Sequence, residues 1–236
     1  MSAGEEDVDA TTPLESDRRA RQAFRDLVLR IAVPGGCIFD FGAGCGSDAK
    51  FYAARGFRVV AYDVDPRICA SFARHCRPEI ESGQIHLCQG GYREFVDVHV
   101  PDLRRQHEIA VVAANFAPLS LIDDPHELFA TLHALTQPKA EFLASVLNPY
   151  FIGDLRYAWW WGNRLTYWRQ GHFCVAGAAT NIFRRSLRNF AALAAPYFAL
   201  ENVIRGLPGA AVAQIRSSHG AALATSRYLF LLFAKR

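Results

Sequence analysis

Three alternating glycines, Gly42, Gly44 and Gly46, follow an acid, Asp40, and the apolar run Cys37-Ile38-Phe39. With Pro34-Gly35-Gly36 in front, this stretch predicts a buried strand that breaks into a tight turn and restarts as a helix near Ser47 and Asp48. Residues without a Cβ let a ligand approach the backbone and make positive φ inexpensive, which is what a nucleotide-binding turn requires. A second acid, Asp63, closes the next apolar run seventeen positions after Gly46. A carboxylate there suits a diol, because each oxygen can accept one hydroxyl hydrogen bond and charge-assisted bonds are the stronger kind. A dinucleotide fingerprint needs a third glycine at position 47, where this chain has Ser47.

A second concentration of chemistry lies between residues 148 and 180. Tyr150, Arg156, Tyr157, Trp159, Trp160, Trp161, Tyr167, Trp168, His172 and Phe173 crowd into it, with all four tryptophans of the chain. Aromatic rings offer large, stiff apolar surface with a polar handle, suited to a planar or lipophilic small molecule. The same rings can instead pack the segment onto the domain or form a dimer contact. His172 is the leading candidate for a general base, since imidazole titrates near neutrality, and Tyr150 is a candidate to orient an acceptor.

The elements that must position these residues alternate strand and helix. Phe24, Leu27, Val28 and Ile31 recur at helical spacing over 18–31. Strands are predicted at 57–63, 84–89, 109–114 and 142–147, and Asp65-Pro66 and Asp124-Pro125-His126-Glu127 open helices. Ser186 is predicted to cap a helix carrying Leu187, Phe190 and Leu193, with strands at 198–204 and 228–234 after it. Residues 148–180 do not read as core sheet or core helix. The pattern is that of an α/β, doubly wound, mostly parallel sheet with helices on both faces, whose ligands lie beyond the carboxyl ends of the strands.

Composition limits the alternatives. The 236 residues are 51% hydrophobic and 21% charged with a net charge of +3, too little and too dispersed for a nucleic-acid footprint. The six cysteines form no C-x-x-C pair, so free thiols in a reducing compartment are expected rather than disulfides or a zinc site. The acidic N-terminus and the short apolar run at 228–234 give no leader or membrane span, and the expected location is cytoplasmic.

An acid followed by G-x-G-x-G, here Asp40, Gly42, Gly44 and Gly46, with Asp63 at the next strand end, resembles the class I S-adenosylmethionine-dependent methyltransferases. The resemblance covers 18–147 well and the remainder by its order of elements. It implies a seven-stranded sheet closed by an antiparallel pair, with S-adenosyl-L-methionine as cofactor and S-adenosyl-L-homocysteine as product. It also implies that the glycine turn approaches the amino-acid and ribose parts of the cofactor, that Asp63 binds both ribose hydroxyls and that Val64 lies against the adenine. Family members often carry an acid after the third strand; Gln89-Gly90-Gly91-Tyr92 stands here, leaving adenine to backbone near Gly91 and Tyr92. Asn115 and Phe116 fill the place near the methyl group, and an insertion after strand 5 commonly forms a lid over the acceptor.

The reading divides the chain into a tail (1–16), a cofactor-binding core (17–147), an aromatic-rich acceptor lid (148–180) and the end of the sheet (181–236). The expected activity is O- or N-methylation of an aromatic or apolar metabolite, in a secondary-metabolite setting. Expected cofactor residues are Asp40, Gly42, Gly44, Gly46, Asp63, Val64, Gly91, Tyr92, Asn115 and Phe116. Expected acceptor residues are Tyr150, Arg156, Tyr157, Trp159, Trp160 and Phe173, with His172 and Tyr150 catalytic. No metal, nucleic-acid or membrane partner is expected, and a homodimer is left open. A catalytically silent cofactor-binding module and an NAD-dependent oxidoreductase are the alternatives.

Overall fold

The computed structural model describes residues 15–176, 181–206 and 223–236. Its centre is a seven-stranded sheet of order β3-β2-β1-β4-β5-β9-β8, formed by β1 (Cys37–Phe41), β2 (Arg58–Asp63), β3 (Ile85–Gln89), β4 (Ile109–Ala114), β5 (Thr136–Leu147), β8 (Phe198–Arg205) and β9 (Tyr228–Lys235). The first five are parallel, and β9 runs antiparallel to both neighbours. The chain steps outward from β1 to β3, then returns to lay β4 on the other side of β1. That reversal opens a crevice at the carboxyl ends of β1 and β4, the place where such sheets bind ligands. The glycine turn leaves β1 at this point.

Alternation along the strands fills two cores. Phe39, Val60, Val112 and Phe142 face one side. There they meet α6 (Val100–Gln106) through Leu103, α7 (His126–Leu135) through Phe129 and α9 (Leu187–Ala194) through Phe190. Ile38, Val59, Val111 and Leu143 face the other, under α1 (Glu15–Ile31), α2 (Ser47–Ala53) and α3 (Pro66–His75). Fully burying one such side chain contributes roughly 1.5–3 kcal/mol, so these two layers hold the sheet. Short α4 (Arg77–Glu81) and α5 (Tyr92–Glu94) fill connections, α5 continuing through a π-helical turn, Phe95–His99, into α6.

The expected caps at α3 and α9 are present: Asp65 accepts from the Arg67 N–H and Ser186 from the Asn189 N–H. At α7 the helix begins one residue later than the cap signal implies. Asp124 accepts from the His126 N–H, and Pro125 occupies the cap position.

Three differences from the sequence reading have physical causes. Helix α1 starts at Glu15 rather than Arg18, its first turn carrying Glu15 and Asp17, which suit a helix N-terminus. The rest of the expected tail, residues 1–14, lies outside the described residues. Strand β5 starts at Thr136 rather than 142 because an irregularity lets polar residues join it. Ile109 pairs with Thr136 and Val111 with Glu141, two steps against five, and Lys139 within the excess has φ +65°. Finally, 148–176 contains regular structure outside the main sheet: a 3₁₀ turn (Ile152–Arg156), α8 (Ala158–Gln170) and β6 (His172–Val175). β6 pairs antiparallel with β7 (Ile182–Arg185), so the hairpin extends past the expected lid boundary at 180. No helix among the described residues is long and apolar enough to cross a membrane.

Candidate active site

The glycine turn is tied to β2 by two backbone bonds, from the N–H groups of Gly42 (2.9 Å) and Ala43 (3.0 Å) to the Tyr62 carbonyl. All three glycines have positive φ: +71°, +57° and +86°. Their roles separate on what a Cβ would meet. At Gly42 it would lie 2.8 Å from the Pro118 side chain and at Gly46 2.6 Å from Cys76 Sγ, so these two allow close packing. At Gly44 it would meet nothing within 4 Å among the described residues, which leave the turn open on that face.

Asp63 stands beside that opening, 9% exposed. Its Oδ2 accepts from the Gly44 N–H (2.9 Å) and its Oδ1 from the Asp65 N–H (3.1 Å). One protein donor on each oxygen leaves each with further acceptor capacity, which fits a ribose diol. Val64, next in the chain, is 59% exposed. Gly91 also has open space where a Cβ would stand. The Tyr92 hydroxyl is turned the other way, donating to Thr131 Oγ1 of α7 at 2.9 Å.

Beneath the turn lies a polar network that the sequence reading does not identify. Arg25 of α1 donates from Nε to Asp48 Oδ1 (2.6 Å) and from Nη2 to the Ser47 carbonyl (2.7 Å). Asn115 donates from Nδ2 to Asp48 Oδ2 (2.8 Å) and accepts the Phe116 N–H on Oδ1 (2.9 Å). Asp40 is buried, with Oδ2 unpartnered. Burial first, and then the Asp48 charge, raise its carboxyl well above the ordinary aspartate range. After β4 two non-glycine residues in succession, Phe116 (φ +57°) and Ala117 (φ +62°), adopt the left-handed conformation. Each costs on the order of 1–3 kcal/mol and persists where surrounding structure imposes it, commonly at ligand sites.

The aromatic segment divides between two cavities. The larger, about 830 Å³, is lined by Arg156, Tyr157 and Trp159 together with Arg184 of β7, the first turn of α1, and Arg227 and Tyr228 at the start of β9. Tyr228 sets its ring edge against Phe116, with centroids 5.9 Å apart, so this cavity adjoins the carboxyl end of β4. Tyr157 and Trp159 stack at 5.9 Å with planes 13° apart. The smaller cavity, about 370 Å³, is lined by Trp160, Phe173 and their neighbours on α8. The expected acceptor set is thus divided between two linings, Trp160 and Phe173 on one and Arg156, Tyr157 and Trp159 on the other, with the Trp159 and Phe173 rings in contact at 6.0 Å. Tyr150 lines neither; its ring meets Tyr167 edge-on at 6.1 Å. His172 also lines neither. It pairs with Arg185 across the hairpin, and its Nδ1 lies 3.3 Å from the Gln170 carbonyl.

Arg184 is, with Arg227 and Tyr228, among the cavity residues that sequence reasoning misses. It is buried, ion-paired with Asp154 (3.1 Å), bonded to the Asn148 carbonyl (2.9 Å) and set over Trp159 at 5.6 Å. Nothing local in Phe183-Arg184-Arg185-Ser186 distinguishes it; its partner is thirty residues earlier.

A family model described as a methyltransferase domain matches residues 16–190, most of the chain. The chain belongs to that methyltransferase family. A 93-residue segment, 39% of the chain, is 38% identical to the ribosomal protein L11 methyltransferase of Pelotomaculum thermopropionicum and spans only 30% of that relative. Two solved structures share the fold at 19% identity. One is the 1,6-didemethyltoxoflavin-N1-methyltransferase of Burkholderia thailandensis, with bound 1,6-didemethyltoxoflavin and S-adenosylhomocysteine (TM-score 0.59, 93% of this chain and 79% of that one). The other is an S-adenosylmethionine-dependent methyltransferase of Mesorhizobium loti (TM-score 0.62, 92% and 98%). The methyltransferase here has the class I, S-adenosylmethionine-dependent architecture, with its seven-stranded, mostly parallel sheet.

Proposed function

We propose that this methyltransferase transfers the methyl group of S-adenosylmethionine to O or N of a small molecule seated in the cavity between α1, the 148–185 segment and the start of β9. The observation that supports this reading is the Tyr228–Phe116 contact, which sets one wall of that cavity against the residues that follow β4. Gly44 and Asp63 hold the amino-acid and ribose parts of the cofactor, Asp40, Gly42 and Gly46 shape the turn, and Val64 and Gly91 border the adenine. Asn115 and Phe116 stand between cofactor and acceptor. The cofactor supplies an electrophilic sulfonium methyl; the protein's part is alignment and exclusion of water. Trp159 and Tyr157 give the acceptor a flat wall; the methyl–sulfur bond breaks as the bond to O or N forms, and the acceptor's proton passes to solvent, since His172 lines neither cavity.

Support for a small acceptor comes from the cavity's size, within the usual range for such ligands. Screening small aromatic acceptors by release of S-adenosylhomocysteine tests the reading. Trp159→Ala should remove turnover while leaving S-adenosylhomocysteine affinity within about twofold. Loss of both together would indicate that Trp159 holds the fold instead.

A further inference from the structure

We infer that the acceptor is planar and carries a single carboxylate, held by Arg184 and Arg156; this rests on the acceptor cavity proposed above. Among the described residues the lining holds four arginines against three carboxylates. Arg19 pairs with Glu15 at 2.7 Å, Arg227 with Asp17 at 3.8 Å and Arg184 with Asp154 at 3.1 Å. Arg156 remains, and among the described residues its bond is to the neutral Tyr157 hydroxyl at 2.8 Å. The described lining therefore carries one positive charge in excess.

Arg184 supplies the directional part. Its side chain is nine-tenths buried, fixed by Asp154 and Asn148, and its Nε has no hydrogen-bond partner among the described residues. A buried donor without an acceptor is destabilising, and the guanidinium fork matches a carboxylate. Burial depresses the Arg184 pKa more than Asp154 raises it, so a second anion nearby is favourable. Asp154 and Asp17 border the same space and disfavour a dianion such as a phosphate ester. The stacked Tyr157 and Trp159 rings provide the surface on which a planar acceptor body lies.

The test titrates naphthalene-2-carboxylate and its neutral counterpart, naphthalene-2-carboxamide, into the full chain, with and without S-adenosylhomocysteine, following tryptophan fluorescence. The carboxylate should bind at least tenfold more tightly. Arg156→Gln, an exposed change, should reduce that preference several-fold. The paired change Arg184→Met with Asp154→Leu, which leaves no buried charge unmatched, should abolish it. S-adenosylhomocysteine affinity is measured on the same samples, so failure of the cofactor site registers separately. Equal binding of the two probes, binding of neither, or a preference that survives in both variants overturns the inference.

Discussion

Asn115 at the end of β4 donates from Nδ2 to Asp48 Oδ2 in the first turn of α2, at 2.8 Å, and thereby ties together the two edges of the crevice at the carboxyl ends of β1 and β4. Arg25 completes the clamp from α1, and both members of the Arg25–Asp48 pair are largely buried. Removing one partner of a buried pair strands the other charge. Arg25→Met is expected to lower stability by about 3–5 kcal/mol. Asn115→Ala, which leaves the ion pair intact, should cost about 1–3 kcal/mol as Asp48 loses a donor. Urea unfolding measures both; a loss for Arg25→Met no larger than that for Asn115→Ala would contradict the greater weight given to the ion pair.

The three glycines should respond differently to the same substitution. Gly46→Ala drives a methyl into Cys76 and Phe72 and should reduce the folded yield or the melting temperature sharply. Gly44→Ala meets only open space, so its stability loss should be limited to the strain of positive φ, on the order of 1–2 kcal/mol. Its main effect should fall on S-adenosylhomocysteine affinity. Thermal melts with and without that ligand separate the two, and matching behaviour of Gly44→Ala and Gly46→Ala would refute the division of roles.

Asp40 predicts a pH dependence of stability. Its folded pKa is raised above the ordinary 3.8, so the folded chain retains a proton that the unfolded chain releases. The stability from this group is complete below about pH 3.8 and is lost as pH rises toward the folded value. Relative to Asp40→Asn, which cannot titrate, the wild type should become progressively less stable between pH 4 and pH 7. A stability difference that stays constant over that range contradicts the assignment.

Thiol reactivity gives an independent view of the crevice. Cys37, Cys69, Cys76 and Cys88 are buried, whereas Cys45 within the glycine turn is half-buried and Cys174 is exposed. Burial pushes Cys88 up to about 12 and Cys37 and Cys76 to about 11, which suppresses their thiolates. Iodoacetamide on the native protein should therefore label Cys174 and Cys45 first, with S-adenosylhomocysteine slowing Cys45 alone. Protection of Cys174 and not Cys45 would move the ligand away from the turn.

What the sequence makes legible follows from how local each signal is. Asp40, the glycines and Asp63 lie within one strand–turn–helix–strand unit, and the central strands read as continuous apolar runs because helices cover both faces. Helix α8 does not announce itself, since Ala158–Gln170 buries none of its residues, places Gly162 mid-way and shows no one-sided apolar stripe. Only its end, Gly171 at φ +73°, follows a familiar rule. The β6–β7 hairpin and the burial of Arg184 depend on Asp154 and Asn148, partners that tertiary packing alone supplies. Arg25 and Asp48 are likewise 23 residues apart, too far for a helix-face or capping rule.

The most direct test of the central claim is calorimetric titration of S-adenosylhomocysteine into the wild type and Asp63→Ala. Asp63 accepts from the Gly44 and Asp65 N–H groups and borders the opening over the turn. The wild type should bind with 1:1 stoichiometry, and Asp63→Ala should weaken binding by at least tenfold while remaining folded by circular dichroism. Absence of binding by the wild type, or undiminished binding by folded Asp63→Ala, would contradict the cofactor site described.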